Sequence, residues 1–91
     1  MTEPQQGPVA ARMENKLQAA FAPSWLEVIN ESHMHAGHAG DNGTGESHFR
    51  IRIAADSLNG QTRVAQHRAI NAALAEELAG AVHALAIDVQ R

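Results

Sequence analysis

Residues 48–54 form the segment that most restricts how this chain can fold. Polar and apolar side chains alternate through it, with Phe49, Ile51 and Ile53 on one side and His48, Arg50 and Arg52 on the other. A period of two residues is typical of a β-strand that has one apolar and one polar face. The pattern therefore predicts a strand over His48–Ala54, and a lone strand is not stable without partner strands.

Two further segments are predicted to be those partner strands. Trp25–Asn30 is short, is bounded by Pro23 and a polar loop, and contains Val28 and Ile29. Val82–Val89 is apolar on both faces, which favours a central position in the sheet. The long glycine-rich segment Glu31–Gly45 separates the first strand from the second, and loops of such length in compact domains are usually functional or disordered.

Two helices are predicted from apolar residues at helical spacing. The first opens at Pro8 and ends before Pro23, since the residue before a proline avoids the α region. The second follows an N-cap at Thr62 and ends at Gly80. Within it, the neighbours Glu76 and Glu77 diverge around the helix and are predicted to lie on a solvated face. The predicted buried residues are Val9, Met13, Leu17 and Phe21 in the first helix, and Ile70, Leu74 and Leu78 in the second.

The element order is thus helix, strand, strand, helix, strand, which indicates a single small α+β domain. We expect residues 1–7 to be a flexible tail and residues 8–91 to form the domain, because 91 residues suit one hydrophobic core. Only three residues are aromatic, so the core is thin and leaves little room for a substrate cavity of roughly 300 Å³ or more. With neither a secretory signal nor a long apolar run, we expect no membrane association and a cytoplasmic location.

The chain contains no cysteine, which excludes a disulfide, a thiol nucleophile and a thiolate metal site of its own. No serine lies in a nucleophile-elbow context. A metal hydrolase would need an open coordination position and a cavity, which the chain is poorly equipped to supply. We therefore do not expect an enzyme.

Six histidines are a high number for a chain of this length. His33, His35 and His38 lie in the glycine-rich loop, where they are compatible either with a divalent metal site or with a solvated polar loop. His83 stands at the start of the last strand, either as a hydrogen-bonded structural histidine or as a ligand held on a rigid element while the loop brings another. His67 and His48 are interpreted as structural.

Together these segments resemble the BolA-like family from about Met13 to Val89. The residues that carry the resemblance are, in order, Glu31-Ser32 before the histidine-bearing loop, Ser47-His48-Phe49, Gly60 before His67-Arg68, Leu74-Ala75-Glu76-Glu77-Leu78 and Val82-His83-Ala84-Leu85. The resemblance implies a class II KH-like topology, with a three-stranded mixed sheet and the helices packed on one side.

The resemblance also implies a partner and a cofactor. BolA-like proteins pair with monothiol glutaredoxins and share a bridging 2Fe–2S cluster, for which glutaredoxin and glutathione supply the thiolates. The family's C-terminal histidine ligand corresponds to His83. The loop ligand corresponds best to His35, counted from Glu31-Ser32, with His38 or His33 as alternatives.

Some BolA-like proteins are transcriptional regulators, so DNA is the alternative partner. Arg50, Arg52, Arg63 and Arg68 fall in one short stretch and predict a local basic patch. The net charge of −3 argues against bulk attraction to nucleic acid, and this chain has Gln66-His67-Arg68 where many relatives have Arg-His-Arg.

Overall fold

The computed structural model describes residues 7–32 and 46–90. The predicted bounds of the first two strands are confirmed, whereas the last strand begins two residues later than predicted. The tail prediction concerns residues 1–7, of which 1–6 lie outside the described residues, so that boundary stays a prediction. The strands are β1 (Trp25–Asn30), β2 (His48–Ala54) and β3 (Ala84–Gln90), and the helices are α1 (Pro8–Phe21), α2 (Arg63–Ala73) and α3 (Ala75–Ala79), with a 3-10 turn at Asp56–Leu58.

The three strands form one mixed sheet in the order β1-β2-β3. β2 pairs antiparallel with β1 and parallel with β3. The central strand is therefore β2, and the prediction that the last strand is central was wrong. The side of β3 that faces away from the helices is apolar because it carries Ala84 and Ala86. Alanine methyl groups are small and need not be buried by other residues.

The apolar face of β2 forms the centre of the core. Phe49, Ile51 and Ile53 are at most 2% exposed and pack against residues from both helical segments. Because all the helices cover this one face, the predicted α+β architecture with helices on one side is confirmed. The helical contributors are Val9, Ala10, Met13 and Leu17 from α1, Ile70 from α2, and Leu74, the residue between α2 and α3.

The opposite face of the sheet carries ion pairs. Arg50 contacts Glu31 at 2.9 Å and Asp88 at 3.1 Å. Arg52 lies 3.8 Å from Glu27 and 3.7 Å from Asp88. The two arginines of the central strand are thus neutralised by acids from both sides.

The predicted second helix is divided in the structure. Leu74 departs from helical dihedral angles, with φ −107° and ψ 22°, so α2 and α3 are separate elements. The helical hydrogen bonds that flank the break survive, from Leu74 N to the Ile70 carbonyl and from Leu78 N to the Leu74 carbonyl. The break is therefore a local bend. Among the described residues, none of the helices has the length and apolar run that crossing a bilayer requires.

Glu77 corrects the prediction of a solvated acidic pair. Its side chain is only 2% exposed, whereas that of Glu76 is 86% exposed. Oε2 of Glu77 lies 3.4 Å from Nε of Arg12 and 2.9 Å from Nζ of Lys16. These two basic residues are one turn apart on α1. Burial on its own would raise the pKa of Glu77, but hydrogen bonds from Lys16, its own backbone and Arg12 hold that pKa below its ordinary value. Glu77 therefore connects α3 to α1 as a buried carboxylate.

We expect Glu77→Gln to lower the free energy of unfolding at pH 7 by about 1–3 kcal/mol, because the cations of α1 lose their charged partner in a buried place. Glu76→Gln is the matched control, and its loss should stay within about 0.5 kcal/mol because an exposed ion pair contributes little. Urea unfolding followed by circular dichroism measures both values.

The contribution of Glu77 also has a defined pH dependence. A carboxyl with a lowered pKa in the folded protein stabilises above its unfolded pKa, near 4.5 here, and this stabilisation is lost as the pH falls through the folded value. Acid unfolding of Glu77→Gln should therefore be less steep than that of the wild type. Identical stability and identical pH profiles for the two glutamine variants would contradict the assignment.

Candidate functional site

His83 lies immediately before β3, and its imidazole is exposed. Within residues 7–32 and 46–90 this side chain makes no hydrogen bond or ion pair. An exposed and unpaired imidazole keeps both ring nitrogens available for a ligand or a proton. The interpretation of His83 as a hydrogen-bonded structural residue is therefore not supported by the described contacts.

The backbone of His83, by contrast, is closely held. Its N–H donates to the carbonyl of Ser47 at 2.7 Å, and the N–H of Ala84 donates to the same carbonyl at 3.2 Å. On the other side, the N–H of the buried Val82 donates to the carbonyl of Glu77 at 2.9 Å. The exposed imidazole thus stands on a main chain fixed by both α3 and the residue that precedes β2.

Ser32, at the end of the described segment 7–32, forms the second part of the site. Its buried hydroxyl accepts the N–H groups of Ser47 at 2.8 Å and His48 at 3.0 Å. The Ser32 N–H is in turn bound to the Asn30 side-chain oxygen at 2.8 Å. The Ser32 hydroxyl therefore connects the two described segments that flank residues 33–45. It does so next to the Ser47 carbonyl, which binds the His83 backbone.

Ser47 and His48 complete this group, and both are buried. The Ser47 hydroxyl lies 2.8 Å from Nδ1 of His48, and the His48 carbonyl accepts the Glu31 N–H at 2.8 Å. Burial together with this hydrogen bond agrees with the interpretation of His48 as structural. We refer below to Ser32, Ser47, His48 and His83 as the histidine end of the sheet.

The predicted loop ligands His33, His35 and His38 lie outside the described residues. Their assignment stays a prediction. Among the residues that are described, no group of three or more His, Cys, Asp or Glu side chains is arranged to hold a metal ion. The histidine end has two described imidazoles, of which that of His48 is buried and that of His83 is exposed, and its described residues form no complete metal site.

Glu46 connects the histidine end to α1. Its carboxylate accepts the N–H groups of Val9 at 3.2 Å and Ala10 at 3.3 Å, in the first turn of the helix. Gly7, the N-cap, has no side chain to do this, and a Cβ at that position would overlap the Glu46 carboxylate. A carboxylate is favoured there because the N–H groups and the helix dipole present positive charge.

The four arginines of the predicted basic patch do not lie together. Arg50 and Arg52 are ion-paired on the face of the sheet that the helices leave open. Arg63 and Arg68 are exposed on α2, on the helical side, and within the described part of the chain they make no ion pair. Of the four predicted arginines, only Arg63 and Arg68 have no acidic partner among the described residues, and both lie on α2.

A surface cleft of about 600 Å³ lies beside the start of α2. The volume of this cleft is larger than the thin core predicts. Its lining is mostly polar, with Arg63 as the charged residue: Asn59, Gly60, Gln61, Arg63, Gln66 and Val89. Since β2 and β3 are parallel, Val89 near the end of β3 is far along the sheet from His83, which precedes its start. The cleft and the histidine end therefore occupy opposite ends of the sheet.

Sequence reasoning identified His83 but did not assign roles to Ser32 or Glu46. In the sequence, the pairs Glu31-Ser32 and Ser47-His48 are distinguished only by the family resemblance. The glycine before Pro8 does point to a residue such as Glu46. With glycine at the N-cap, the first N–H groups of the helix have no capping side chain and need an acceptor from another part of the chain. His67 is half-buried on α2, and no hydrogen bond of its ring is found among the described residues.

Comparison with known proteins bears directly on these positions. The BolA-like protein family matches residues 17–91, which include every described residue of the histidine end. The chain belongs to the BolA-like family. The resemblance seen in the sequence is thereby confirmed, together with the KH-like mixed sheet that it implied.

Individual relatives agree with this assignment. The BolA domain of SufE1 from Arabidopsis thaliana superimposes with a TM-score of 0.84 at 38% identity, covering 93% of each chain. The DNA-binding transcriptional regulator BolA of Escherichia coli is 44% identical over 79 residues, which are 87% of this chain and 71% of that protein. A Sinorhizobium protein described as lying in the cobS 5′ region is 56% identical over 77 residues, covering 84% of this chain and 83% of its own.

Glu46→Ala should lower the free energy of unfolding by about 0.5–2 kcal/mol, the range found when a helix loses the acceptor at its N-terminus. Glu27→Ala is the matched control, because its carboxylate lies 3.8 Å from Arg52 in an exposed pair and its loss should stay within about 0.5 kcal/mol. Urea unfolding at low ionic strength measures both. A loss at Glu46 no greater than that at Glu27 would show that the carboxylate does not support α1.

Proposed function

We propose that this protein is a non-catalytic partner of a monothiol glutaredoxin and that the two co-ligate a bridging 2Fe–2S cluster. The observation that carries the proposal is the state of His83, whose imidazole is exposed and has no partner among the described residues while its backbone is held by the Ser47 carbonyl. A ligand that reaches towards another protein needs this combination of an accessible side chain and a rigid support.

The donor set is suited to a shared cluster and unsuited to one of the chain's own. No cysteine is present, so the chain supplies no thiolate. His83 would hold the iron from this side, together with a loop histidine, for which His35 is the first choice and His38 or His33 the alternatives. Glutaredoxin and its bound glutathione would supply the thiolates. The cytoplasmic location expected from the sequence stays a prediction.

Imidazole ligation gives such a cluster its own chemistry. In Rieske centres two histidines replace two cysteines on one iron, and the substitution raises the reduction potential. A histidine ligand must be deprotonated to bind, so retention of the cluster should depend on pH near neutrality. These properties suit iron–sulfur cluster assembly, trafficking or iron regulation.

We expect His83→Ala to abolish the visible absorption and circular dichroism spectrum of the mixed complex formed with cluster-loaded glutaredoxin and glutathione. The fold should be retained, with a change in stability within about 0.5 kcal/mol, since the side chain is exposed. His67→Ala is the control, because it removes an imidazole from α2 and should leave the spectrum unchanged. A one-to-one complex with the same spectrum in His83→Ala would contradict the proposal.

DNA binding is the second candidate function. It is favoured by Arg63 and Arg68 on α2, which are exposed and have no ion pair with residues 7–32 or 46–90, and the Escherichia coli relative is named a DNA-binding transcriptional regulator. The two arginines lie on the helical side of the fold, away from the ion-paired Arg50 and Arg52. DNA would therefore approach α2, and the polar face of the sheet would remain free.

If DNA binds there, each phosphate contact contributes about 0.9 to the slope of log affinity against log salt concentration. The double variant Arg63→Gln/Arg68→Gln should then lower that slope by about 2. Arg52→Gln is the control and should leave the slope unchanged. Fluorescence anisotropy across a salt series measures it, and a wild-type chain that binds no DNA even at low salt would exclude this function.

A further inference from the structure

The hydroxyl of Ser32 uses its whole hydrogen-bonding capacity on the residues that lead into β2. It accepts two N–H groups, from Ser47 at 2.8 Å and His48 at 3.0 Å, and its own proton points to the His48 carbonyl at 3.4 Å. A hydroxyl has two acceptor lone pairs and one donor, so no capacity remains for water or a ligand. Ser32 is only 4% exposed, so water cannot replace its hydroxyl as the hydrogen-bond partner of these groups.

We propose that Ser32 is a positioning residue for His83. The inference rests on the proposed function in one respect only, namely that His83 is the ligand whose position matters. Ser32 itself does not touch the cluster or the partner. Its hydroxyl fixes the Ser47 backbone, and the Ser47 carbonyl in turn fixes His83.

The chain of contacts is short. Ser32 Oγ holds the N–H of Ser47, and the carbonyl of the same residue accepts the N–H groups of His83 and Ala84. Without the hydroxyl, the buried N–H groups of Ser47 and His48 would both lose the acceptor that Ser32 provides, and a protein compensates for such a loss by local rearrangement. Any shift of the Ser47 carbonyl moves the support of His83 directly.

The effect should be local, because the fold has independent supports. Val82, next to His83, is bound to the Glu77 carbonyl, and the core beneath Phe49 does not include Ser32. The sheet should therefore persist when the hydroxyl is removed, while the residues around His83 open more readily.

Ser47→Ala is a matched control, because it removes a buried hydroxyl one residue away along the same path. The Ser47 hydroxyl contacts Nδ1 of His48, whereas both bonds to the His83 region use the Ser47 main-chain carbonyl. The control therefore loses a hydrogen bond in the same place but keeps the connection from Ser32 to His83. Ser32→Thr keeps the hydroxyl at the original position and tests for rescue.

The first measurement is amide hydrogen exchange in the free protein, which does not depend on glutaredoxin. In Ser32→Ala, exchange at His83 and Ala84 should accelerate at least tenfold relative to amides of the core strand β2, such as Ile51. Ser47→Ala and Ser32→Thr should remain within threefold of the wild type. Unchanged exchange in Ser32→Ala, or equal acceleration in Ser47→Ala, would overturn the proposal. If Ser32→Ala does not fold, the test uses Ser32→Thr. Exchange at His83 more than threefold above the wild type would then overturn the positioning role of Ser32, and exchange equal to the wild type would support it.

The second measurement is the half-life of the visible circular dichroism signal in the mixed complex with cluster-loaded monothiol glutaredoxin and glutathione. Ser32→Ala should shorten it at least fivefold, and Ser32→Thr should restore it. A wild-type chain that forms no mixed complex refutes the proposed function, and the exchange result then still decides the role of Ser32. A wild-type complex that Ser32→Ala matches in lifetime refutes the positioning role alone.

Discussion

The central place of β2 in the sheet makes a different demand on each face of that strand. On one face, Phe49, Ile51 and Ile53 must be covered, and truncating a buried residue such as Phe49 to alanine typically costs about 3–5 kcal/mol. On the other face, Arg50 and Arg52 need anions from both flanks, which are supplied by Glu27 and Glu31 on one side and Asp88 on the other. The positions of the helices and of both edge strands follow from these two demands.

The same strand also organises the histidine end. The His48 carbonyl receives Glu31 from the β1 side, and the Ser47 carbonyl receives His83 from the β3 side. Ser47, which precedes β2, and His48, its first residue, thus bind the segments on both sides of this strand, and the Ser32 hydroxyl binds these two residues in turn. The place of His83 is therefore a consequence of sheet register, which is why an exposed side chain there is held on a fixed main chain.

The sequence predicted those features that depend on local pattern. Alternation identified β2 to the residue, because a half-buried strand must alternate, and prolines delimited α1. The sequence pattern did not identify the central strand, because the alanines on the side of β3 that faces away from the helices make both faces of that strand apolar, as in a buried strand. Glu77 was missed for a related reason: its neighbour Glu76 is solvated, and only contact with α1 distinguishes the two. Ser32 acts across 15 or 16 residues of sequence, a separation that no periodicity reveals.

The geometry also bears on how the two proposed functions relate. The histidine end lies where β2 and β3 begin, whereas Arg63 and the cleft lie where these strands finish, so a partner bound at one end need not cover the other. The two proposed functions would therefore use different ends of the sheet. Because the chain has no cysteine, it supplies no thiolate to an iron–sulfur cluster. If the chain co-ligates a cluster as proposed, it would hold that cluster only together with a partner that supplies thiolates, and the loss of either ligand set should release the cluster.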